Sequence, residues 1–142
     1  MKITNIETIK ISTSYGDGNV FGQPKSVRTM VFVRILTNSR ITGIGETYSG
    51  IYVPETIETI VKFLSKYLIN ENPLEKNLVL EKLNIPFVGN NGLIKSVISA
   101  IEIALADISS KYLKIPMYKF LNKNYKKRIK VYASGGSVIF TP

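Results

Sequence analysis

The 142-residue sequence contains no cysteine and no histidine. Without cysteine the chain can form no disulfide, thiolate nucleophile or sulfur-ligated zinc site. Without histidine it lacks the side chain that most often serves as general base and metal ligand. Any chemistry that this chain performs alone must therefore use carboxylates, lysines or tyrosines.

Acidic residues are few, scattered and absent from the C-terminal part of the chain. The ten Asp and Glu residues form no Asp-x-Asp cluster, so we assign no metal site and no catalytic residue. None follows Asp107, and the net charge of +9 comes largely from eight later cations: Lys111, Lys114, Lys119, Lys123, Lys126, Lys127, Arg128 and Lys130.

A basic segment of this kind is typical of proteins that bind nucleic acid. Here we expect no exposed aromatic side chains between the cations, although single-strand binding favours them. A solvated face, or half of an interface whose acidic partner lies elsewhere, is the simpler interpretation.

Long apolar runs are also missing. The N-terminus alternates in polarity without the apolar core of a signal peptide, and no run is long enough to span a membrane. We therefore expect a soluble, cytoplasmic protein without membrane contact. Its length, with 44% hydrophobic and 20% charged residues, suits one globular domain and at most a little of a second.

Alternating polarity predicts a three-stranded antiparallel meander at the start of the chain. Val31, Val33 and Ile35 mark one face of its clearest strand. Asn-Ser at 38–39 is typical of a hairpin turn. The predicted strands cover residues 2–12, 28–37 and 41–46. The connection 13–26 contains three glycines and a proline, and long loops of this kind are often functional.

Apolar residues at helical spacing predict a bundle of helices after the meander. Pro54 suits the first turn of the first helix, and Tyr112 ends the apolar stripe of the longest one. The predicted helices cover residues 54–68, 73–83, 93–112 and 117–122. Residues 128–136 predict one more strand and a glycine turn. The predicted fold class is α+β, a three-stranded meander packed on a helical bundle.

Part of the longest predicted helix resembles a recurring pattern of one enzyme superfamily. Residues 99–121 are similar to the last long helix of the capping domain in enolase-superfamily enzymes of the mandelate racemase/muconate lactonizing type. Their pattern is Ala-x-x-x-Ala-Leu-Trp-Asp-x-x-Gly-Lys-x-x-Gly-x-Pro-x-x-x-Leu-Leu-Gly. Matching positions are Ala100, Ala104, Leu105, Asp107, Lys111, Pro116 and Leu121. Departures are Ala106 for Trp, Phe120 for Leu, and Ser110, Lys114 and Asn122 for the three glycines.

Two shorter stretches resemble the same family. Gly-Ile-Gly-Glu at 43–46 is similar to the Gly-x-Gly-Glu that ends the family's third strand, and residues 131–134 resemble the first strand of its barrel. The resemblance implies a capping domain at 1–126 and the start of a truncated (β/α) barrel at 127–142. We expect Glu46 to anchor the meander to the helices, and Asp107 to pair with Lys111 one helical turn later.

The resemblance also implies an activity for the full-length enzyme. In this family the barrel holds Mg²⁺ and the bases that remove a proton α to a carboxylate. The full enzyme is thus expected to be a Mg²⁺-dependent lyase or isomerase, a homo-oligomer that acts on a small carboxylate substrate. Those catalytic positions lie beyond Pro142, so we expect this chain to bind no metal and to be inactive without the missing barrel domain.

In such enzymes two loops of the capping domain close over the barrel and shape specificity. The matching loops are 13–26 and 47–53, where we expect six side chains to face a ligand: Tyr15, Phe21, Gln23, Lys25, Tyr48 and Tyr52. Lys25 would pair with a substrate carboxylate, and the tyrosines would donate to hydroxyl groups. The polar loop around Asp17 and Asn19 favours dehydration of an acid sugar, while racemisation and cycloisomerisation stay open.

Two other interpretations remain at this point. The chain is alternatively a stand-alone basic module for an anionic partner such as nucleic acid, a partner that we do not favour. It is also compatible with an inactive remnant of a longer gene, in which the unpaired final strand would promote self-association.

Overall fold

The computed structural model describes residues 1–14, 27–86, 88 and 91–133. They form a three-stranded antiparallel sheet in the order β1-β2-β3, with helices packed on one face. The strands are β1 (Ile3–Ser14), β2 (Val27–Thr37) and β3 (Thr42–Thr47). The helices are α1 (Pro54–Ser65), α2 (Lys76–Glu81), α3 (Gly92–Tyr112) and α4 (Met117–Leu121). The predicted α+β meander-plus-bundle class is confirmed.

The inner face of the sheet is built by alternating side chains of β2. Val31, Val33 and Ile35 are fully buried there, as the sequence pattern predicts. They pack against apolar residues of α1 and α3 within one core, including Ile57, Leu64, Val97, Ile101 and Leu105. Intervening residues of β2, such as Phe32 and Arg34, lie on the opposite, outer face.

Two predicted helices are longer than those in the structure. The first, predicted at 54–68, ends at Ser65, and the second, predicted at 73–83, comprises only α2. Tyr112 was expected in the buried stripe of α3, but its side chain is 54% exposed. The reason is the length of β3: Lys111 already lies beside Thr42, the first residue of that strand. The last residue of α3 therefore has no strand beneath it.

The strand predicted at 128–136 does not form in its described part, 128–133. Val131 and Tyr132 are more than four-fifths exposed, and no described strand pairs with this segment. A β-strand needs a neighbour to satisfy its backbone hydrogen bonds, so apolar alternation alone is not sufficient.

The C-terminal end of α3 is closed by two backbone hydrogen bonds. The amide of Ile115 donates to the carbonyl of Ser110, and the amide of Lys114 donates to that of Lys111. Lys114 has a φ of 55°, the left-handed conformation that glycine usually supplies at this position. The family's glycine therefore has a geometric purpose that this chain meets with lysine.

An exposed ion-pair network joins α1 to β1. Glu58 accepts from Lys10 and also pairs with Lys62, at 2.8 Å in each case. Hydrogen bonds from both ammonium groups lower the pKa of Glu58 to about 2.

Within the described residues, no helix combines the length and apolarity that crossing a membrane requires.

Candidate substrate-capping site

The sheet topology places two connections at the same end of the domain. The β1–β2 hairpin opens at the pair Ser14–Val27, and β3 ends at Thr47 opposite Val31. Four residues of β2 separate these positions, about 14 Å along the strand. The connection after β1 and the connection after β3 therefore leave the sheet in the same direction.

The β3 strand lies directly on the backbone of α3. A Cβ atom at Gly43 would be 2.1 Å from the carbonyl oxygen of Ala104, and one at Gly45 would be 2.0 Å from that of Ala100. Only glycine permits this approach. Two residues of a strand advance about 6.8 Å and four residues of a helix about 6 Å. The two glycines of Gly-x-Gly therefore lie opposite the two alanines of Ala-x-x-x-Ala.

Asp107 and Lys111 occupy the free edge of β3. Oδ2 of Asp107 accepts from the amide of Ile44 at 3.0 Å and from Nζ of Lys111 at 2.7 Å. Nζ of Lys111 also donates to the carbonyl of Thr42 at 2.8 Å. The predicted helix pair is confirmed, and it satisfies backbone groups that an edge strand would otherwise leave open.

The contact between β3 and α3 continues through hydroxyl groups where the strand ends. Oγ1 of Thr47 lies 2.5 Å from Oγ of Ser96, four residues before Ala100. Oγ of Ser49 donates to the same Ser96 oxygen at 2.8 Å. The first residues after β3 are therefore fixed to the N-terminal part of α3.

A short 3-10 turn, Tyr48–Ile51, follows β3 and brings two tyrosines together. The rings of Tyr48 and Tyr52 meet edge to face, with centroids 5.8 Å apart. They are 63% and 46% exposed, respectively. Gly50 lies against Val31 so closely that a Cβ would be 2.5 Å from the valine Cβ. The turn thus rests on the sheet and presents an aromatic pair to solvent.

Comparisons with known proteins identify the family of this chain. The sequence model of the mandelate racemase/muconate lactonizing enzyme N-terminal domain matches residues 22–122. The chain belongs to this family.

Relatives of known name agree. D-xylonate dehydratase of Haloferax volcanii is 29% identical over 92% of the chain, and D-galactonate dehydratase of Pectobacterium atrosepticum is 30% identical over 94%. The chain spans only 29% and 31% of their lengths.

Solved structures show the same domain. A member of the enolase superfamily from Polaromonas sp. JS666 is 28% identical, with a TM-score of 0.78 over 95% of this chain and 36% of that one. A muconate cycloisomerase variant is 25% identical, with a TM-score of 0.69 over 90% of this chain and 34% of that one. The fold is that of the enolase-superfamily capping domain.

The described part of this capping domain contains only two of the six predicted ligand-facing residues. Tyr48 and Tyr52 are brought together and exposed. The other four lie outside the described residues: Tyr15, Phe21, Gln23 and Lys25. Ser96 and Ser49 were missed by the sequence analysis. The signal for Ser96 was present, because its spacing of four residues from Ala100 repeats the spacing of Ala100 from Ala104.

Two expectations for the capping domain are wrong. Glu46 does not anchor the meander to the helices, because it is exposed on the outer face of β3 while Gly45 and Thr47 face α3. The basic segment does carry exposed aromatic side chains between its cations, since Tyr112 and Tyr118 are 54% and 50% exposed.

The described residues of the capping domain include no group of three His, Cys, Asp or Glu residues that could hold a metal ion. The clustered carboxylates that Mg²⁺ prefers are therefore not available from this part of the chain.

Proposed function

We propose that this domain caps the active site of a Mg²⁺-dependent acid-sugar dehydratase. The observation that carries the proposal is the exposed Tyr48–Tyr52 pair, which lies at the end of the sheet where β1 and β3 both terminate. The two dehydratase relatives support the substrate class, because D-xylonate and D-galactonate are both sugar acids.

The tyrosine pair suits a polyhydroxylated acid for a physical reason. Each ring offers an apolar surface to the C–H groups of a sugar chain, and each hydroxyl group donates or accepts a hydrogen bond. Closing such a surface over a substrate excludes water and orients the chain. The tyrosines therefore bind and orient the substrate, and they take no part in proton transfer.

Metal binding and proton abstraction belong elsewhere in the full-length enzyme. The described residues contain no group of carboxylates that fits a Mg²⁺ ion. We propose that residues 127–142 begin a (β/α) barrel, which supplies the metal site and the bases. The exposed, unpaired apolar residues of 128–133 support this assignment, because a neighbouring strand would cover them.

Replacement of Tyr48 by alanine in the full-length enzyme tests the capping function. We expect roughly a 10-fold change in the ratio of kcat/KM between two sugar acids, such as xylonate and galactonate, because one specificity contact is lost. Tyr67→Ala is the matched control, since Tyr67 forms a similar edge-to-face pair with Phe63 on α1, away from this end of the sheet. Equal substrate ratios in the two variants would contradict the proposal.

Intact mass tests the domain assignment. Protein isolated from its own cells should have a mass of roughly 40 kDa, the sum of this domain and a barrel of about 250 residues. We infer that this full-length protein is a cytoplasmic homo-oligomer, which native mass measurement and fractionation would check. A cellular species of 15.9 kDa would contradict the barrel assignment.

A second function, the binding of an anionic partner such as nucleic acid, gains support from the exposed tyrosines of the basic segment. Tyr118 packs on Tyr125, and Lys119 lies 5.4 Å from the Tyr125 ring centroid. Binding of this kind predicts steeply salt-dependent retention on immobilised single-stranded DNA. Retention that is lost by about 0.15 M salt and is equal on a plain anionic matrix would exclude it.

A further inference from the structure

Strand β3 contacts α3 at three regularly spaced pairs of residues. Only two of these pairs contain family signature residues. Strand positions 43, 45 and 47 lie against helix positions 104, 100 and 96. The first two are backbone contacts made by glycine. The third is a hydrogen bond between Thr47 and Ser96, and it lies next to the tyrosine-bearing turn.

Ser96 connects the core of the domain to that turn. Its hydroxyl group bonds Thr47, which is only 2% exposed, and also accepts from Ser49. The carbonyl of Ser49 in turn accepts from the amides of Tyr52 and Val53, each at 3.1 Å. Fixing Ser49 therefore fixes the backbone at both ends of the aromatic pair.

We propose that Ser96 is a positioning residue for substrate selection: it holds Ser49 in place and thereby sets the placement of the Tyr48–Tyr52 pair. The role of Ser96 in substrate selection depends on the proposed capping function. Its structural effect on the turn does not. The two parts can therefore be tested separately.

Hydrogen exchange tests the structural part in the 142-residue chain. In Ser96→Ala the amides of Tyr52 and Val53 should exchange about 5- to 10-fold faster, because one lost hydrogen bond loosens the turn by that factor. Ser109→Ala is the matched control, since it removes a serine hydroxyl on the same helix that bonds only the carbonyl of Leu105. Its exchange rates at Tyr52 and Val53 should equal those of the wild type.

Ser49→Ala provides a second route to the same bond if Ser96→Ala does not fold. It removes the hydroxyl group that donates to Ser96 from the turn side, so we expect the same faster exchange at Tyr52 and Val53. Unchanged exchange at both amides in the variants that fold would overturn the inference, even where the capping function itself stands.

Kinetics of the full-length enzyme tests the catalytic consequence. Ser96→Ala should raise KM for the preferred sugar acid about 10-fold while kcat changes less than twofold, because substrate placement and not chemistry is affected. Ser109→Ala should change neither constant. Faster exchange with unchanged KM would overturn the role in substrate selection. Absence of dehydratase activity in the wild type would instead overturn the capping function and leave the exchange result intact.

Discussion

The junction between β3 and α3 and the C-terminal stretch 117–133, which holds most of the basic segment, represent two extremes of this chain. At the junction, backbone meets backbone within about van der Waals distance, and Asp107 and Lys111 satisfy the free strand edge. In the basic segment no residue of α4 is buried, and Ile129 is 71% exposed. Two signature residues, Gly43 and Gly45, stand where no larger side chain fits, whereas the signature residue Leu121 is 68% exposed.

The difference predicts strongly unequal tolerance to substitution. Gly45→Ala should lower the free energy of unfolding by about 3 kcal/mol, because the new methyl group would meet the carbonyl of Ala100, which cannot move without shifting α3. Urea unfolding measures this. Gly92→Ala is the control: space is open there and φ is +57°, so only about 1 kcal/mol of backbone strain is expected. Equal losses in the two variants would show that the junction is not tightly packed.

Asp107→Asn should have the next largest effect. The carboxylate accepts from the backbone amide of Ile44 as well as from Lys111, and a charge-assisted bond to an amide contributes about 1.5 kcal/mol. Glu102→Gln serves as the control, because its pair with Lys76 includes no backbone group and is worth under about 0.5 kcal/mol. Thermal unfolding of both variants measures the difference. Equal losses of stability would show that Asp107 does not stabilise the edge of β3.

The smallest effect should be a gain in stability, at Lys114, which lies between the junction and the C-terminal stretch. Lys114→Gly should raise the free energy of unfolding by about 0.5–1 kcal/mol, because glycine adopts the left-handed conformation without steric cost. Lys119→Gly should instead lower it by about 1 kcal/mol, since Lys119 lies within α4. A loss of stability in Lys114→Gly would mean that the lysine side chain has a stabilising contact that outweighs its backbone strain.

Local patterns were sufficient to predict most of the fold. Alternation identified the buried face of β2, and Pro54 marked the start of α1. These features depend on near neighbours in the chain, which a single sequence displays directly. Tyr112 and the strand at 128–133 were assigned incorrectly, because their burial depends on which distant segment lies beside them.

The site was less accessible to sequence reasoning. Tyr48 and Tyr52 were selected through the family resemblance, yet nothing in the sequence indicated that their rings would touch. Ser96 was overlooked because its signal is a spacing alone, and a serine in an amphipathic helix carries no chemical signature of its own. Its role depends on two hydroxyl groups 47 and 49 positions earlier in the chain.

The closed edge of β3 has a consequence for polymerisation. Asp107 and Lys111 already use the backbone groups of Ile44 and Thr42 that an incoming strand would need. At the other side of the sheet, the backbone of residues 70–71 exchanges two hydrogen bonds with Ile3, the first residue of β1. Within the described residues, templated growth by strand addition is therefore directional, and the later part of β1 is the side from which a fibril or a swapped dimer would start.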